Sequence, residues 1–469
     1  MNNKERIVDF LKKVAAGEST GSAVYFLGVG GIGMSAIARY FNSRGVKVSG
    51  YDKTETELTK KLISEGINIH YEDNVDLIDK EALFVVFTPA VPKDHTEYNY
   101  FLNNGFSILK RSEVLGLITS SSFNICVAGT HGKTTTSTMI AHILRHSEYG
   151  CNAFLGGIAS NYDTNFWSSS KNVYVAEADE YDRSFLKLNP DIAVITAMDP
   201  DHLDIYGTEE SFKEAFLEFS GKVKKGGLLI SKFGLEQTKN FRTPNNITYS
   251  SNNSDADCFA KNIHMQNGSY HFDVKIKEEI IENLVLHMGG MHNLENVVAA
   301  IAVAKNIGLA DEKIKAAIAE FKGVKRRFEY VIKKEKKVMI DDYAHHPQEL
   351  SALINGAKGL FPEKKCTIIF QPHLYTRTRD FADGFAEALN LADEVYLLPI
   401  YPAREKPIEG VESEMILKLM NSPKVVCCSK EELIKKMEEK NKMESLELLI
   451  TAGAGDIDTM VLPIKKILA

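Results

Sequence analysis

The sequence predicts an α/β fold of three domains, and three observations carry that expectation. The chain has 469 residues, enough for about three domains at roughly 150 residues each. Its first and last thirds alternate short β-branched runs with helical patterns, which is how parallel sheets covered by helices read in a sequence. Near residue 130, a glycine-rich loop lies between a buried strand and an amphipathic helix.

The elements follow in order. Ala23 to Leu27 reads as a buried strand, ended by Gly28-Val29-Gly30-Gly31-Ile32-Gly33. Met34, Ile37, Ala38 and Phe41 then recur at helical spacing, and Val46-Lys47-Val48 begins the next strand. Ala82 to Phe87 is another strand. The polar break Thr119-Ser120-Ser121-Ser122 sets the first boundary, so residues 1–121 form the first domain. Asn124 to Ala128, Val173 to Ala176 and Ile192 to Thr196 are buried strands of a second domain, 122–324. Within it, Asn245 to Asp273 alternates and is Asn-rich, which suggests antiparallel strands and turns. Gly289-Gly290-Met291-His292-Asn293 opens a helix over Leu294 to Asn306, and a helix ending near Phe321 precedes the second boundary. The third domain, 325–469, restarts the rhythm with strands near Val338 to Ile340, Thr367 to Phe370, Glu394 to Leu398 and Leu448 to Thr451. Lys333 to Lys337 reads as a solvated hairpin tip.

Composition excludes several function classes. Apolar residues make up 44% and charged residues 25%, close to the globular average, so disordered and fibrous chains are ruled out. Fifty-six basic against 63 acidic residues give a net charge of -7, which argues against a nucleic-acid partner but not against nucleotide binding. No apolar run approaches the roughly 20 residues of a membrane helix, so no membrane partner is expected. Met1 to Lys13 is charged and amphipathic and lacks the apolar core of a signal peptide. The six cysteines fall in no metal-ligand spacing, which points to reduced thiols and a cytoplasmic protein.

Two loops carry chemistry. Gly28, Gly30 and Gly33 form G-x-G-x-x-G between a strand and a helix, with Asp52 ending the next strand. Glycines there allow a tight turn and let backbone N–H groups approach a diphosphate at the positive end of the helix. A nicotinamide cofactor is one reading and another nucleotide a second. The other loop is Gly129-Thr130-His131-Gly132-Lys133-Thr134-Thr135-Thr136, in the strand-loop-helix context of a P-loop ATPase-type domain. Its N–H groups would wrap phosphates, Lys133 would reach the β/γ oxygens, and the Thr134 hydroxyl could bind Mg2+. A strict P-loop would have glycine where this chain has Val127. Strand ends add acids at Glu177-Ala178-Asp179-Glu180 and Asp199-Pro200-Asp201-His202-Leu203-Asp204, where a sheet's carboxyl edge meets the phosphate loop. Glu177 and His202 are candidate metal ligands; Asp204 reads equally well as a helix cap.

At these residues the chain resembles the Mur ligases, ATP-dependent amide-forming enzymes of peptidoglycan synthesis. G-T-H-G-K-T-T-T, E-A-D-E and D-H-L-D occur in the family's order, and the resemblance spans nearly the whole chain. Later segments agree: G-M-H-N-L-E-N (290–296), R-R-F-E (326–329), D-D-Y-A-H-H-P (341–347), Q-P-H-L-Y-T-R-T-R (371–379) and G-A-G-D-I (453–457). The resemblance implies a Rossmann-like UDP-binding domain, a central ATP-binding domain and a carboxyl-terminal Rossmann-like domain that binds the amino acid. ATP and Mg2+ are the implied cofactors. G-V-G-G-I-G-M-S and G-T-H-G-K are similar to the branch that joins L-alanine to UDP-N-acetylmuramate. A monomer or weak homodimer in a bacterial cytoplasm goes with it.

Roles are implied position by position. Gly129, Thr130, His131, Gly132, Lys133, Thr134 and Thr135 would bind the ATP phosphates. Thr134, Glu177 and His202 would hold Mg2+. His292, Asn293 and Asn296 would face adenine, with Arg327 and Asp342 closing over the nucleotide. Gly28, Gly30, Gly31, Gly33 and Asp52 would hold the UDP-sugar diphosphate rather than NAD. His345, His373, Arg377 and Arg379 would help position the acid substrate and the incoming alanine, and Lys133, Glu177, His202 and Arg379 would carry the catalysis. Independently of the family, Arg377 and Arg379 can neutralise carboxylate or phosphoryl oxygens through forked hydrogen bonds, with a solvated loop as the plain alternative. Asn296, early in its helix, could instead face solvent.

Three rivals stand against this reading. A branch that joins a whole tripeptide to the same sugar nucleotide would have a different first glycine loop and no T-R-T-R segment. A nicotinamide-dependent dehydrogenase leaves Lys133 and Glu177 without work. A nonenzymatic ATP-dependent binding protein does not need the strand-end acids. Sister Mur ligases also carry a lysine after D-H-L-D that forms a carbamate and helps bind a second Mg2+. Phe216 stands there in this chain, and Lys213, three residues away, should point elsewhere.

Overall fold

The structure, a computed structural model, describes residues 3–18, 21–403, 405–421 and 424–469. The amphipathic amino terminus is a helix, Asn3–Ala16, and Met1 and Asn2 lie outside the described residues. The chain forms two compact units. Residues 1–260, 274–281 and 295–318 make the first, and residues 261–273, 282–294 and 319–469 the second.

The first unit contains two sheets. One is built from β1 (Ala23–Leu27), β2 (Lys47–Tyr51), β3 (Asn68–His70), β4 (Ala82–Phe87) and β5 (Ile108–Lys110), in the order β3-β2-β1-β4-β5 and parallel throughout. All five residues of β1 are buried, as an apolar run covered on both faces requires. The chain steps to one side of β1 for β2 and to the other for β4, so a crevice opens at the carboxyl end of β1.

The other sheet has β6 (Phe123–Ala128), β7 (Asn152–Ala159), β8 (Thr164–Trp167), β9 (Val173–Glu177), β10 (Ile192–Ile195), β11 (Leu228–Lys232) and β12 (Asn246–Ser250). Its neighbours run β12-β11-β10-β6-β9-β7-β8. Only β7 and β8 pair antiparallel within that run. The strands β9 and β10 flank β6, so both acid segments emerge beside the loop that follows β6.

Two expectations need correction here. The Asn-rich stretch does not open as antiparallel strands: β12 pairs parallel with β11, and Tyr249 and Ser250 pair parallel with the start of β13 (Cys258–Gln266). Alternation reports that one face is exposed, not which way the neighbour runs. The strands β14 (Ser269–Ile276) and β15 (Glu279–Leu286) follow, with residues in both units. The next helix begins at Met291 rather than Leu294, because the Gly290 carbonyl already accepts from the N–H groups of Asn293 and Leu294.

Packing joins the two sheets of the first unit. Tyr40, on the helix Ile32–Ser43, packs on Phe154 of β7 and Phe166 of β8 with ring centroids 5.6 and 6.1 Å apart. Beside them the buried Arg39 is fully engaged, as a buried charge must be. It donates to Glu65 at 2.7 and 2.8 Å and to Asn165 of β8 at 2.5 Å.

The second unit carries β16 (Glu329–Lys333), β17 (Val338–Asp342), β18 (Cys366–Phe370), β19 (Glu394–Leu397), β20 (Val425–Cys427) and β21 (Leu448–Ala452), in the order β16-β17-β21-β18-β19-β20. β16 and β17 form an antiparallel hairpin with the lysine-rich tip expected from the sequence, and the other pairs are parallel.

Candidate functional site

The first glycine loop sits at the crevice beyond β1. Gly28 has φ +84°, and a side chain there would meet Thr88 at 2.8 Å. Asp52 does not wait for a ligand: its carboxylate accepts the Gly30 N–H at 2.7 Å and the Thr54 N–H at 3.3 Å, holding the loop's shape. Gly31 is the N-cap of the helix Ile32–Ser43, and no side chain caps that end. The first-turn amides therefore point at the crevice, where the helix dipole favours an anion.

The second loop turns at the end of β6. Gly129 (φ +138°) and Gly132 (φ +81°) have left-handed-side conformations, and a Cβ at Gly129 would lie 2.1 Å from Thr196 Oγ1. The loop is pinned by Thr196, which donates to the His131 carbonyl at 2.5 Å, and by Thr130 Oγ1, which donates to the Asp199 carbonyl at 2.7 Å. Thr134 and Thr135 lie in the first turn of the helix Lys133–His146. Asn296 is buried and packs on the loop: its Oδ1 would lie 2.7 Å from a Cβ at Gly132. Val127 is a fully buried β6 residue, so the strand needs an apolar side chain where a strict motif has glycine.

The E-A-D-E segment binds this loop from two sides. Thr134 Oγ1 donates to Glu177 Oε2 at 2.8 Å, and Lys133 Nζ donates to the Gly129 carbonyl at 2.6 Å and to Glu180 Oε1 at 2.8 Å. Burial raises the Glu180 carboxyl above its ordinary range, with Lys133 opposing the shift. Its second oxygen, Oε2, is buried without a hydrogen-bond partner. A hard divalent cation fits this set: a hydroxyl and a carboxylate 2.8 Å apart are oxygen donors that can turn onto one ion. The nearby contacts of His202 are with other residues. Its ring meets Tyr181 edge-on at 5.1 Å and stands 3.7 Å from Asp201. Among the described residues, no three His, Cys, Asp or Glu side chains form a ready-made metal cage.

In the second unit, Asp342 folds the R-R-F loop back on β17. Its two oxygens accept from the N–H groups of Phe328 at 2.6 Å and Ala344 at 2.7 Å. Desolvation pushes its pKa up to about 6 despite those donors. Arg327 is exposed, and Asn293 donates to the Gly289 carbonyl at 2.7 Å. The His292 ring lies against Gly290.

A second cluster gathers at the carboxyl ends of β17 and β18. His345 Nδ1 donates to the Tyr343 carbonyl at 2.9 Å, which leaves Nε2 as the ring nitrogen with a lone pair. Its ring lies 6.1 Å from that of His373. His373 stacks on Tyr401, and Arg377 Nη1 approaches its Nδ1 at 3.4 Å. Burial and the Arg377 charge lower the His373 pKa to about 4, so the ring is neutral at neutral pH. Arg379 is not in this cluster; it is exposed and pairs with Asp380 at 2.7 Å.

Sequence reasoning passed over several of these residues. Glu180 was visible as the last acid of E-A-D-E, three residues after Glu177. Tyr343 stood inside D-D-Y-A-H-H-P without a role of its own, and Tyr401 lay in no motif. Arg111 had none at all, yet it lies against Gly33 and pairs with Asp179 at 3.0 Å.

Comparison with known proteins finds matches over most of the chain. Three family models match in order: Mur ligase family, catalytic domain, over residues 23–122; Mur ligase middle domain, over 127–304; and Mur ligase, glutamate ligase domain, over 326–455. The chain is 49% identical to the UDP-N-acetylmuramate–L-alanine ligase of Flavobacterium johnsoniae over 95% of its own length and 97% of that protein. To the enzyme of the same name from Phocaeicola vulgatus it is 50% identical, over 94% and 97%. The solved UDP-N-acetylmuramate-alanine ligase of Thermotoga maritima superposes with a TM-score of 0.79 at 29% identity, covering 95% of this chain and 98% of that one. A murein peptide ligase from Psychrobacter arcticus shares the fold at 22% identity and a TM-score of 0.65, covering 96% and 100%. With a three-domain α/β architecture, a phosphate loop closed by its own carboxylates and family models along most of its length, this chain belongs to the Mur ligase family.

Proposed function

We propose that the chain is an ATP-dependent ligase that joins L-alanine to the carboxylate of UDP-N-acetylmuramate. The substrate carboxylate attacks the γ-phosphorus of ATP, giving an acyl phosphate and ADP. The alanine amine then attacks the acyl carbon, the C–O bond to phosphate breaks with its electron pair leaving on phosphate, and the amine gives up a proton to phosphate or water. A free carboxylate is unreactive toward amines, so ATP supplies the leaving group, and no protein nucleophile is needed.

The single observation that carries this reading is the phosphate loop with Lys133 and Thr134 already engaged by Glu180 and Glu177, 2.8 Å away in each case. The 49–50% identity to enzymes named for this reaction supports the choice of substrates. In the proposed mechanism the loop amides bind the phosphates, and Lys133 leaves Glu180 to neutralise charge between the β and γ positions. Thr134 and Glu177, with His202, would hold Mg2+, which when bound supplies charge neutralisation to phosphate oxygens. Asn296, buried against the loop, and His292 and Asn293 would bound the adenine site. Arg377 and neutral His373 would bind the alanine carboxylate, with Arg379, His345, Arg327 and Asp342 in the supporting roles the resemblance implies.

The domain limits 1–121, 122–324 and 325–469, and a bacterial cytoplasmic setting, are part of the same proposal. A phosphate-release assay with UDP-N-acetylmuramate and each candidate amine tests it. L-Alanine should be preferred, with glycine and L-serine weaker, because a small pocket separates single methyl groups by only about 1–3 kcal/mol. A γ-glutamyl tripeptide as the better amine donor would move the chain to the tripeptide-joining branch.

A further inference from the structure

We propose that Arg111 is a two-sided positioning residue that carries occupancy of the first glycine loop to the carboxylates beside the phosphate loop, through its ion pair with Asp179. The inference rests on the reading that this loop holds the diphosphate of the sugar nucleotide. Arg111 opens the helix Arg111–Thr119, at the end of β5. Its guanidinium lies against Gly33: a Cβ there would be 2.9 Å from Nη1 and 3.2 Å from Cζ. Gly33 is in the uncapped first turn of the helix Ile32–Ser43, so one edge of the guanidinium borders the amides that would receive a diphosphate. From the other edge Nη2 donates to Asp179 Oδ2 at 3.0 Å. A guanidinium has five donors in a planar fork, so it can hold both partners at once.

Asp179 is no isolated surface acid. Four residues, Glu177 to Glu180, send three carboxylates to three different partners: Glu177 to Thr134, Asp179 to Arg111 and Glu180 to Lys133. The rest of the segment is tied down by hydrogen bonds. Ala178 N–H donates to the Val127 carbonyl, Phe185 N–H to the Asp179 carbonyl, and Tyr206 Oη to the Glu180 carbonyl at 2.5 Å. A second pair, Lys110 to Asp182 at 2.6 Å, ties the same helix start to the residues just after it. Fixing Arg111 on a diphosphate therefore fixes Asp179, and with it the acids that set Lys133 and Thr134 for a nucleotide.

Calorimetric binding tests this with UDP-N-acetylmuramate and a nonhydrolysable ATP analogue plus Mg2+. In the wild type each ligand should tighten the other by about fivefold or more, and by the same factor in both directions. Arg111→Ala should weaken the sugar nucleotide about ten- to a hundredfold, the range for hydrogen bonds to charged groups, and bring the coupling below about twofold. Asp179→Asn should leave sugar-nucleotide affinity within about threefold and still abolish the coupling, which a merely structural contact would not do. The double variant should lose no more coupling than either single one. If Arg111→Ala does not fold, Arg111→Lys keeps the charge without the fork and should bind with intermediate affinity and no coupling. A wild type without coupling, intact coupling in Asp179→Asn, or unaltered sugar-nucleotide affinity in the Arg111 variants would overturn the inference. A wild type that binds no UDP-N-acetylmuramate contradicts the proposed function itself, which is a different result.

Discussion

Lys133 holds three partners, the Gly129 and Thr130 carbonyls and the Glu180 carboxylate, which a nucleotide must displace. Lys133→Met removes the charge and keeps much of the bulk. Turnover should fall by two orders of magnitude or more with the fold intact, since stabilisation of this kind contributes about 3 kcal/mol; near-normal turnover in a folded variant would reject the role. His202→Ala should raise the Mg2+ concentration needed for half-maximal rate, read by titration, while UDP-N-acetylmuramate binding stays unchanged. Asp341 gives a pH test. It is buried, accepts from Thr451 Oγ1 at 2.5 Å, and desolvation raises its pKa to about 7. The native state then binds more protons at this site than the unfolded chain between about pH 4 and that raised value, so its contribution to stability falls as pH rises through the window. Asp341→Asn, measured by urea denaturation, should gain stability relative to wild type at pH 8 and lose that gain by pH 5. A pH-independent difference would contradict the assignment.

At the scale of elements, the loops were legible because each motif lies within one strand-loop-helix. G-T-H-G-K-T-T-T and E-A-D-E announce their chemistry by composition and by the buried strands that precede them. What joins elements was not legible. Arg111 and Asp179 are 68 residues apart, Arg39 and Asn165 are 126 apart, and no local pattern relates them. Strand direction at the start of the Asn-rich stretch, where β12 pairs with β11 and β13, was misread for the same reason, since alternation reports burial and not pairing. Phe216, the position read as offering no ligand, is local in the same way as the loops. The helix Glu209–Ser220 buries it completely among Phe185, Phe212 and Phe219, while Lys213 pairs with Glu209 at 2.7 Å and Glu236 at 3.2 Å. Removing bicarbonate and CO2 should leave the rate unchanged. A large loss restored by bicarbonate would mean that a carbamate forms and the site is built otherwise.

For the whole molecule, the α/β class followed from alternation alone, and the glycine loops beyond β1 and β6 follow from parallel sheets, whose carboxyl edges collect loops. The claim that joins these parts is an acyl phosphate made from the sugar nucleotide's own carboxylate. Isotope transfer tests it most directly. UDP-N-acetylmuramate labelled with 18O in both carboxylate oxygens is incubated with ATP, Mg2+ and L-alanine, and the phosphate and the amide product are weighed by mass spectrometry. The account predicts one 18O in each molecule of phosphate and one retained in the amide. Unlabelled phosphate beside an amide that keeps one 18O, the lost label having gone to water, would contradict it.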